Sequence, residues 1–494
     1  MVFADLGRMS SEDSAAPPFN LLFILTDQFR HDAMSCAGSR FVDTPNLDRL
    51  AREGTRFERA ITPSPICAPA RVSILTGHYI HRHGCTTNPA APANRIRPGV
   101  TSFDQKLHKA GYATRYCGRW HAPPALLDAY DPAPIMDDSE YYRAYLARVL
   151  PPAPKPRPGQ FINPYSGWPY DPDPMDYAYR TEQRPHEPPV PMPGKLYGRD
   201  SVPAAHTISA MTADETIVAL NDLHNVPFSI TCSLLHPHPP LYIARPYCDE
   251  VKAADLGISE TFDDSREDSI YRDFDRALDQ VERAHIRLIM ARYYAAVKEV
   301  DHHVGRILAA IDRLQLRDRT LVIFTADHGE MLGDHGLGQK FVFYDGSVRV
   351  PLILRLPGRI PRGVIVEPVN LIDLYATISD YLGIQFPSRD GRSLREQIQE
   401  NKSSPGDFIV SQFEERHIMI QDREWKYVWS IHPNDVDMLF HLEPDPNELN
   451  NLLGRSPRRA KYLQPARRWN QKLLEWMEQT SHPWKDRVSR TEIR

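Results

Sequence analysis

No run of about 18 apolar residues, the length a membrane-crossing helix requires, occurs anywhere in the 494-residue chain. The nearest thing to a hydrophobic leader, Leu21-Leu22-Phe23-Ile24-Leu25, is short, is preceded by Glu12 and Asp13, and is followed by Asp27. A secretory signal carries a basic flank and a small-residue cleavage site, so this run reads as a buried strand and the protein as cytoplasmic. Cysteine is scarce: six residues, at 36, 67, 85, 117, 232 and 248, with no CxxC pair. That reads as neither a disulfide framework nor a zinc site. Positive charge is not in excess, with 59 Lys plus Arg against 64 Asp plus Glu and a net charge of -5, which excludes a basic protein that coats nucleic acid. What is present is ordinary globular usage, 41% hydrophobic and 25% charged, over a length that suits two or three domains. Of the 59 cations, 47 are arginine. Arginine suits bidentate capture of oxyanions, and a compositional bias of the source genome accounts for the count equally well.

Short apolar runs alternate with helical patterns through the first 400 residues. Asn20 to Thr26, Phe228 to Leu234, Thr320 to Thr325 and Pro351 to Leu356 read as strands buried on both faces. Between the second and third, Ile286, Ile289, Tyr293, Val297, Val300, Val304, Ile307 and Ile311 repeat at three or four residues, the stripe of a helix laid on a sheet. Strand, helix and strand in this order predict an open, mostly parallel α/β sheet, with chemistry beyond the carboxyl ends of its strands. Residues 123–193 hold 18 of the 45 prolines, with Tyr165, Trp168, Tyr170, Tyr177 and Tyr179 among them and no clear periodicity. This reads as an insertion that covers a site or shapes substrate choice, the alternative being a loop that packs on the surface. After about residue 400, Phe408 to Gln412, Arg416 to Gln421, Lys426 to Ser430 and Met438 to Leu442 predict short strands around an Asp422-Arg423-Glu424 turn, followed by an amphipathic helix over Tyr462 to Met477. The division expected is a catalytic α/β domain over 18–400 and a smaller antiparallel sheet plus helix over 401–494.

Two acidic segments follow predicted strands 300 residues apart: Asp27-Gln28, and Asp327-His328-Gly329-Glu330. Rigid elements that deliver carboxylate oxygens to one point are what a hard cation needs, and the nitrogen of His328 is compatible with manganese. An Asp at a strand end is also a common helix cap or turn residue. A sharper signal is Cys67-Ala68-Pro69-Ala70-Arg71 with Leu75-Thr76-Gly77 after it. At this composition C-x-P-x-R arises by chance about 0.05 times in the chain. A thiolate phosphatase loop would need arginine at 73, where Ser73 stands; a plain buried thiol at Cys67 is the bland alternative.

C-x-P-x-R followed by Thr-Gly resembles the formylglycine signature of the type I sulfatases, in the alkaline phosphatase superfamily. The Ser64-to-Arg71 stretch is most similar to choline sulfatases and the arylsulfatase/phosphonate monoester hydrolase group. Further matching segments run along the chain: Thr44-Pro45-Asn46-Leu47-Asp48, Gly118-Arg119-Trp120-His121, His236 to Pro240, Thr325 to Glu330 with Lys340, and Leu439 to Leu442 with Asp445-Pro446-Asn447-Glu448. The resemblance implies the alkaline phosphatase-like fold and hydrolysis of small-molecule or glycan sulfate esters. It also implies that a formylglycine-generating enzyme oxidises Cys67 to an aldehyde. The hydrated diol, polarised by one divalent cation (Ca2+ or Mn2+), would attack sulfur, and its second hydroxyl would expel sulfate from the covalent sulfo-enzyme.

By the same resemblance Asp27, Asp327, His328 and residue 67 are metal ligands, with Gln28 standing where many relatives carry a second Asp. Arg71 would steady the diol, Asn88 and Arg119 would contact substrate, and His121 would accept the diol proton. His238 and Lys340 would hold the sulfate and assist the leaving oxygen. Arg119 replaces the usual Lys, and Ala70 the commoner Ser, which leaves C-x-P-x-R intact. His78, His81, His83, His236 and His335 read as structural. The rival functions are phosphonate monoester or phosphodiester hydrolysis at the same site, and a non-catalytic binding protein on a retained fold. No nucleic-acid or membrane partner is expected, and a homo-oligomer is compatible with the sequence.

Overall fold

The computed structural model describes residues 18–88, 95–132, 138–173, 197–274, 278, 281–400, 408–455 and 459–493. Its centre is a seven-stranded sheet. The strands in chain order are β1 (Asn20–Asp27), β2 (Thr55–Phe57), β3 (Ala113–Gly118), β4 (Phe228–Pro237), β5 (Thr320–Ala326), β6 (Leu352–Arg355) and β7 (Gly363–Ile365). They lie in the order β7-β2-β6-β5-β1-β4-β3. β1 pairs in parallel with both β5 and β4, and β4 with β3. β6 alone runs backwards, antiparallel to β5 and to β2. The prediction of an open, mostly parallel sheet therefore holds. All eight residues of β1 and all seven of β5 are buried, which is why these strands read as unbroken apolar runs.

Three helices position the site. α1 (Cys67–Thr76) is buried along its whole length and carries Pro69 in its first turn, where a proline costs no helical hydrogen bond. It ends at Gly77, whose φ of 68° is the left-handed cap conformation. A Cβ on Gly77 would lie 2.7 Å from the Tyr375 side chain, so the Thr-Gly of the motif is a helix stop pressed against a neighbour. α2 (Ile208–Leu223) packs on β4 and β3. α3 (Arg283–Arg313) buries the predicted stripe against the sheet. Its Tyr293 hydroxyl accepts from the Arg30 amide (2.9 Å) and donates to the Gln28 carbonyl (2.8 Å), fixing the chain just beyond β1.

Beyond residue 407, β8 (Ile409–Phe413), β9 (His417–Gln421), β10 (Trp425–Ser430) and β11 (Met438–His441) form the predicted antiparallel sheet. The helix α4 (Arg459–Gln479) covers it through Trp469, Leu473, Trp476 and Met477. The sheet is tied to the larger part by the fully buried Lys426, whose ammonium donates to Asp345 (2.8 Å) and the Phe343 carbonyl (2.9 Å) and pairs with Glu448 (2.5 Å). The Pro-rich segment is more regular than its sequence suggests. It contributes the helix Asp138–Val149 and the strands Phe161–Ile162 and Pro169–Pro172, which join Tyr197–Asp200 and Leu241–Ala244 in a second small sheet. Strands of two to four residues are too short to register as a period. Tyr177 and Tyr179 lie outside the described residues, as do residues 401–407 beside the expected domain boundary. Among the described residues no helix is long and apolar enough to cross a membrane.

Candidate active site

The carboxyl ends of β1, β5, β4 and β3 converge on the N-terminus of α1. Asp27 closes β1, Asp327 follows β5, His238 follows β4 and Arg119 follows β3, while Cys67 opens α1. One donor atom from each of Asp27, Cys67, Asp327 and His328 lies within 4.8 Å of the others, and all four residues are fully buried. The Cys67 sulfur is 3.1 Å from His328 Nε2 and 3.8 Å from Asp27 Oδ1; His328 Nε2 is 3.7 Å from Asp27 Oδ1 and 3.6 Å from Asp327 Oδ1. The ring of His328 is oriented by Nδ1, which donates to the Gly329 carbonyl (2.9 Å) and so leaves Nε2 with a free lone pair. Two carboxylates, an imidazole lone pair and a sulfur around one point fit a divalent cation.

Arg71 lies under this set. Its Nε donates to Asp327 Oδ2 (2.7 Å) and its Nη2 to Asp27 Oδ2 (3.1 Å), while Nη1 donates to Ser233 Oγ (2.9 Å) and the Arg119 carbonyl (3.0 Å). The structure thus gives Arg71 hydrogen bonds to the two ligand carboxylates, leaving their Oδ1 atoms toward Cys67 and His328. Lys340 sits on the other side, donating to the Cys67 sulfur (3.1 Å) and to Gln28 Oε1 (2.8 Å). Gln28, with φ of 67°, donates through Nε2 to Glu330. Glu330 also accepts from the amides of Leu332 (3.1 Å) and Gln339, so it ties the turn that carries Lys340 to the strand end that carries Asp327. Glu330 and Ser233 carried no separate signal: one is a motif neighbour, the other an unremarkable strand serine.

Arg119 reaches Asp27 Oδ2 at 3.3 Å and donates to His121 Nδ1 at 3.0 Å. His121 and His238 are close enough to Cys67 to act on its thiol. Asn88 caps α1, its Oδ1 accepting from the Ala68 amide at 3.1 Å. The residues read as structural have partners elsewhere. His78 binds Asp390 (2.9 Å), His83 binds Ser73 (2.8 Å), His81 packs on His482, His236 binds Glu299 (3.1 Å), and His335 binds Asp264 (2.7 Å) while stacking on Tyr344. None of the six cysteines forms a disulfide.

The electrostatics follow from burial opposed by fixed charge. Burial and the neighbouring Cys67 disfavour ionised Asp27, but the Arg119 and Arg71 guanidiniums outweigh them and hold the carboxyl below the usual carboxylate range. Burial and the Asp27 charge push Asp327 up to about 6. Burial would raise the Cys67 thiol; the Lys340 ammonium, foremost among the groups around it, reverses this and brings it well below the ordinary thiol value. Burial and Lys340 keep His238 neutral, with its Nδ1 bonded to the Pro239 carbonyl, and burial and Arg119 keep His121 neutral. Lys340 is therefore the cationic donor already in place at residue 67. Beside Arg119 a cavity of about 500 Å³ opens between β3, α2 and the helix Asp138–Val149 of the Pro-rich segment. Tyr116, Tyr141, Tyr145, Met211 and Leu235 are among its walls.

The family model described as sulfatase matches residues 19–384, and one described as the C-terminal part of N-sulphoglucosamine sulphohydrolase matches residues 333–476. The chain is 27% identical to an arylsulfatase of Clostridium perfringens, over 88% of this chain and 90% of that one. It is 28% identical to a choline-sulfatase of Rhizobium meliloti, over 88% and 82%. A phosphonate monoester hydrolase from Silicibacter pomeroyi shares the fold, with a TM-score of 0.73 at 23% identity, over 94% of this chain and 96% of that one.

Proposed function

The chain belongs to the sulfatase family, within the alkaline phosphatase superfamily, and is a sulfate ester hydrolase; from that premise we propose that it cleaves sulfate monoesters through residue 67, converted to formylglycine, beside one divalent cation. The observation that carries this reading is the convergence of Asp27, Asp327, His328 and Cys67 with Lys340 on the same sulfur. The Cys67 sulfur stands where an oxygen of the formylglycine diol would be, and that diol supplies the nucleophile. Asp27, Asp327, His328 and residue 67 would hold the cation, with Gln28 alongside; the bound ion supplies Lewis acidity toward the nucleophile and the sulfate oxygens.

The remaining work falls to the chain's own side chains. Arg71 keeps the two carboxylates apart and ionised. Arg119 presents a guanidinium to the sulfate beside Asp27. His121, held neutral, is in the state that an acceptor of the diol proton needs. The leaving oxygen must gain a proton or a hydrogen bond, and Lys340 is the donor in position. His238 joins it only when the anionic sulfate favours its protonated form. The cavity beside Arg119, walled in part by the Pro-rich segment, would take the leaving group, and its tyrosines and apolar side chains suit an aromatic or sugar ring.

A rate series over sulfate esters of graded leaving-group pKa tests these roles. Lys340→Ala should hurt basic alkyl leaving groups far more than nitrophenyl, and His238→Ala should do so to a smaller degree. Equal slopes for wild type and Lys340→Ala would remove Lys340 from the leaving-oxygen role. The second reading, phosphonate monoester hydrolysis, is favoured by the shared fold of the Silicibacter pomeroyi hydrolase and by charge, since both esters present a tetrahedral monoanion. Assaying aryl sulfate and phenyl phosphonate ester side by side ranks the two.

A further inference from the structure

The chain as translated carries a sulfur, not an aldehyde, at residue 67, and that sulfur changes which cation the site prefers. Cys67 is fully buried, so a chain that folds before oxidation keeps its thiol inside the site. The donor set is then one sulfur, one imidazole nitrogen and two carboxylate oxygens. Bonds of about 2.0–2.3 Å to such donors place them about 3.3–3.6 Å apart in a tetrahedron. The separations here are 3.1 Å for sulfur to His328 Nε2, 3.8 Å for sulfur to Asp27 Oδ1, and 3.7 and 3.6 Å for Nε2 to Asp27 and Asp327 Oδ1. Arg71 occupies both Oδ2 atoms and the Gly329 carbonyl holds His328 Nδ1, while the amides of Gln28 (3.1 Å) and His328 (2.9 Å) donate to Asp327 Oδ1 and Lys340 donates to the sulfur (3.1 Å), so the orientation of the four inward atoms is already fixed.

We propose that the unconverted Cys67 form of the protein is a tetrahedral binding site for a thiophilic divalent cation, zinc in particular, formed by Cys67, His328, Asp27 and Asp327. Thiolate and imidazole select zinc and its congeners, whereas calcium wants six or more oxygens that these four residues do not supply. The metal takes Cys67 as the thiolate, forming a sulfur–metal bond, and whatever proton the sulfur still carries is released to solvent. No CxxC pair is needed, because the fold gathers from three chain segments what the cysteine spacing alone did not reveal. Oxidation of Cys67 removes the soft donor, so conversion and thiophilic binding exclude each other at one atom, and the zinc-loaded cysteine form is a closed state of the same site.

The inference rests on the metal-site reading above, yet it is tested on a different species. Full-length protein whose residue 67 is shown by peptide mass to be cysteine is stripped with chelator and titrated with Cd2+. An ultraviolet thiolate-to-metal absorption band saturating at one equivalent is expected, displaced by Zn2+ but not by Ca2+. Cys67→Ser should lose the band and bind Cd2+ about a hundredfold more weakly, while Cys117→Ser should keep it. Protein converted to formylglycine, which keeps the wild-type fold, should also lack the band. No band in the cysteine form, or a band unchanged in the converted protein, overturns the proposal. Either result leaves sulfatase activity of the converted protein to be judged by its own assay.

Discussion

Replacing Arg71 by methionine keeps most of the buried stem and removes the guanidinium. In the wild type that group is 1% exposed and bonded to Asp27 at 3.1 Å and Asp327 at 2.7 Å. Without it the two buried carboxylates lose the guanidinium they share and only Asp27 keeps a cation, Arg119 at 3.3 Å; deleting one partner of a buried ion pair costs about 3–5 kcal/mol. For a chain of this length the unfolding entropy is roughly 1 kcal/mol per degree, so cation-free Arg71→Met should melt about 3–5 °C below wild type if the protein unfolds as one unit. A divalent cation supplies the missing positive charge at the same carboxylates. Its addition should therefore raise the melting temperature of the variant more than that of the wild type. At one saturating ion concentration each tenfold by which the variant binds the ion more tightly closes about 1.4 kcal/mol of the gap. Calorimetry of both proteins, stripped and loaded, measures this. In the kinetic series, kcat should fall by the same factor for every leaving group, because Arg71 touches the carboxylates and not the departing oxygen. A loss below about 1 kcal/mol in the stripped variant, or equal cation responses in the two proteins, would refute the assignment of Arg71 as the clamp between Asp27 and Asp327.

The other expectations are simpler to check. If Cys67 is converted, peptide mass spectrometry should find about 18 Da less than cysteine at that position, and Cys67→Ala should fold yet lose turnover. Full activity with unmodified cysteine would sink the diol mechanism. Asp104 accepts from Ser229 and Tyr130 in the core, and burial raises its carboxyl from 3.8 to about 6. The folded state therefore binds more protons between those values, and this group's ionisation lowers stability as pH rises from about 4 to about 6. Asp104→Asn should remove that dependence, matching wild type near pH 4 and exceeding it by up to about 3 kcal/mol above pH 6; parallel pH profiles for the two in a denaturant titration would exclude it. At Gly118, φ is 88° and a Cβ would lie 2.2 Å from the Ser233 carbonyl oxygen. Gly118→Ala should accordingly push Arg119 and His121 out of place and cost more in kcat than in melting temperature.

The sheet was legible wherever a strand is buried on both faces. Leu21 to Leu25 and Leu321 to Phe324 are apolar without interruption because both faces of β1 and β5 are buried. The reversed direction of β6 was not legible, since a doubly buried strand carries the same residues whichever way it runs. The small sheet around Tyr170 escaped for want of length, and the Asn88 cap because a cap of α1 from 20 residues away leaves no local pattern. Residue types at the site were readable: carboxylates at strand ends, a cysteine and an arginine four residues apart. Arg71's partners were not, because they come from β1 and from the turn after β5.

Register explains how two apolar strands deliver the charges at their ends to one point. β1 and β5 pair residue for residue from Asn20 with Thr320 to Thr26 with Ala326, so Asp27 and Asp327 leave the sheet at the same height. A slip of one residue would turn one carboxylate to the opposite face and separate the donors. On the other side β4 follows β1 in step only as far as Thr26 with Leu234, and then shifts so that Asp27 meets Pro237. The extra residues, Leu235 and His236, carry the chain forward until His238 stands level with the carboxylates. An irregularity of this kind re-aims a side chain without disturbing the rest of the ladder. The geometry of the site is thus set by one strict register and one broken one, and neither is written in the residues that do the chemistry.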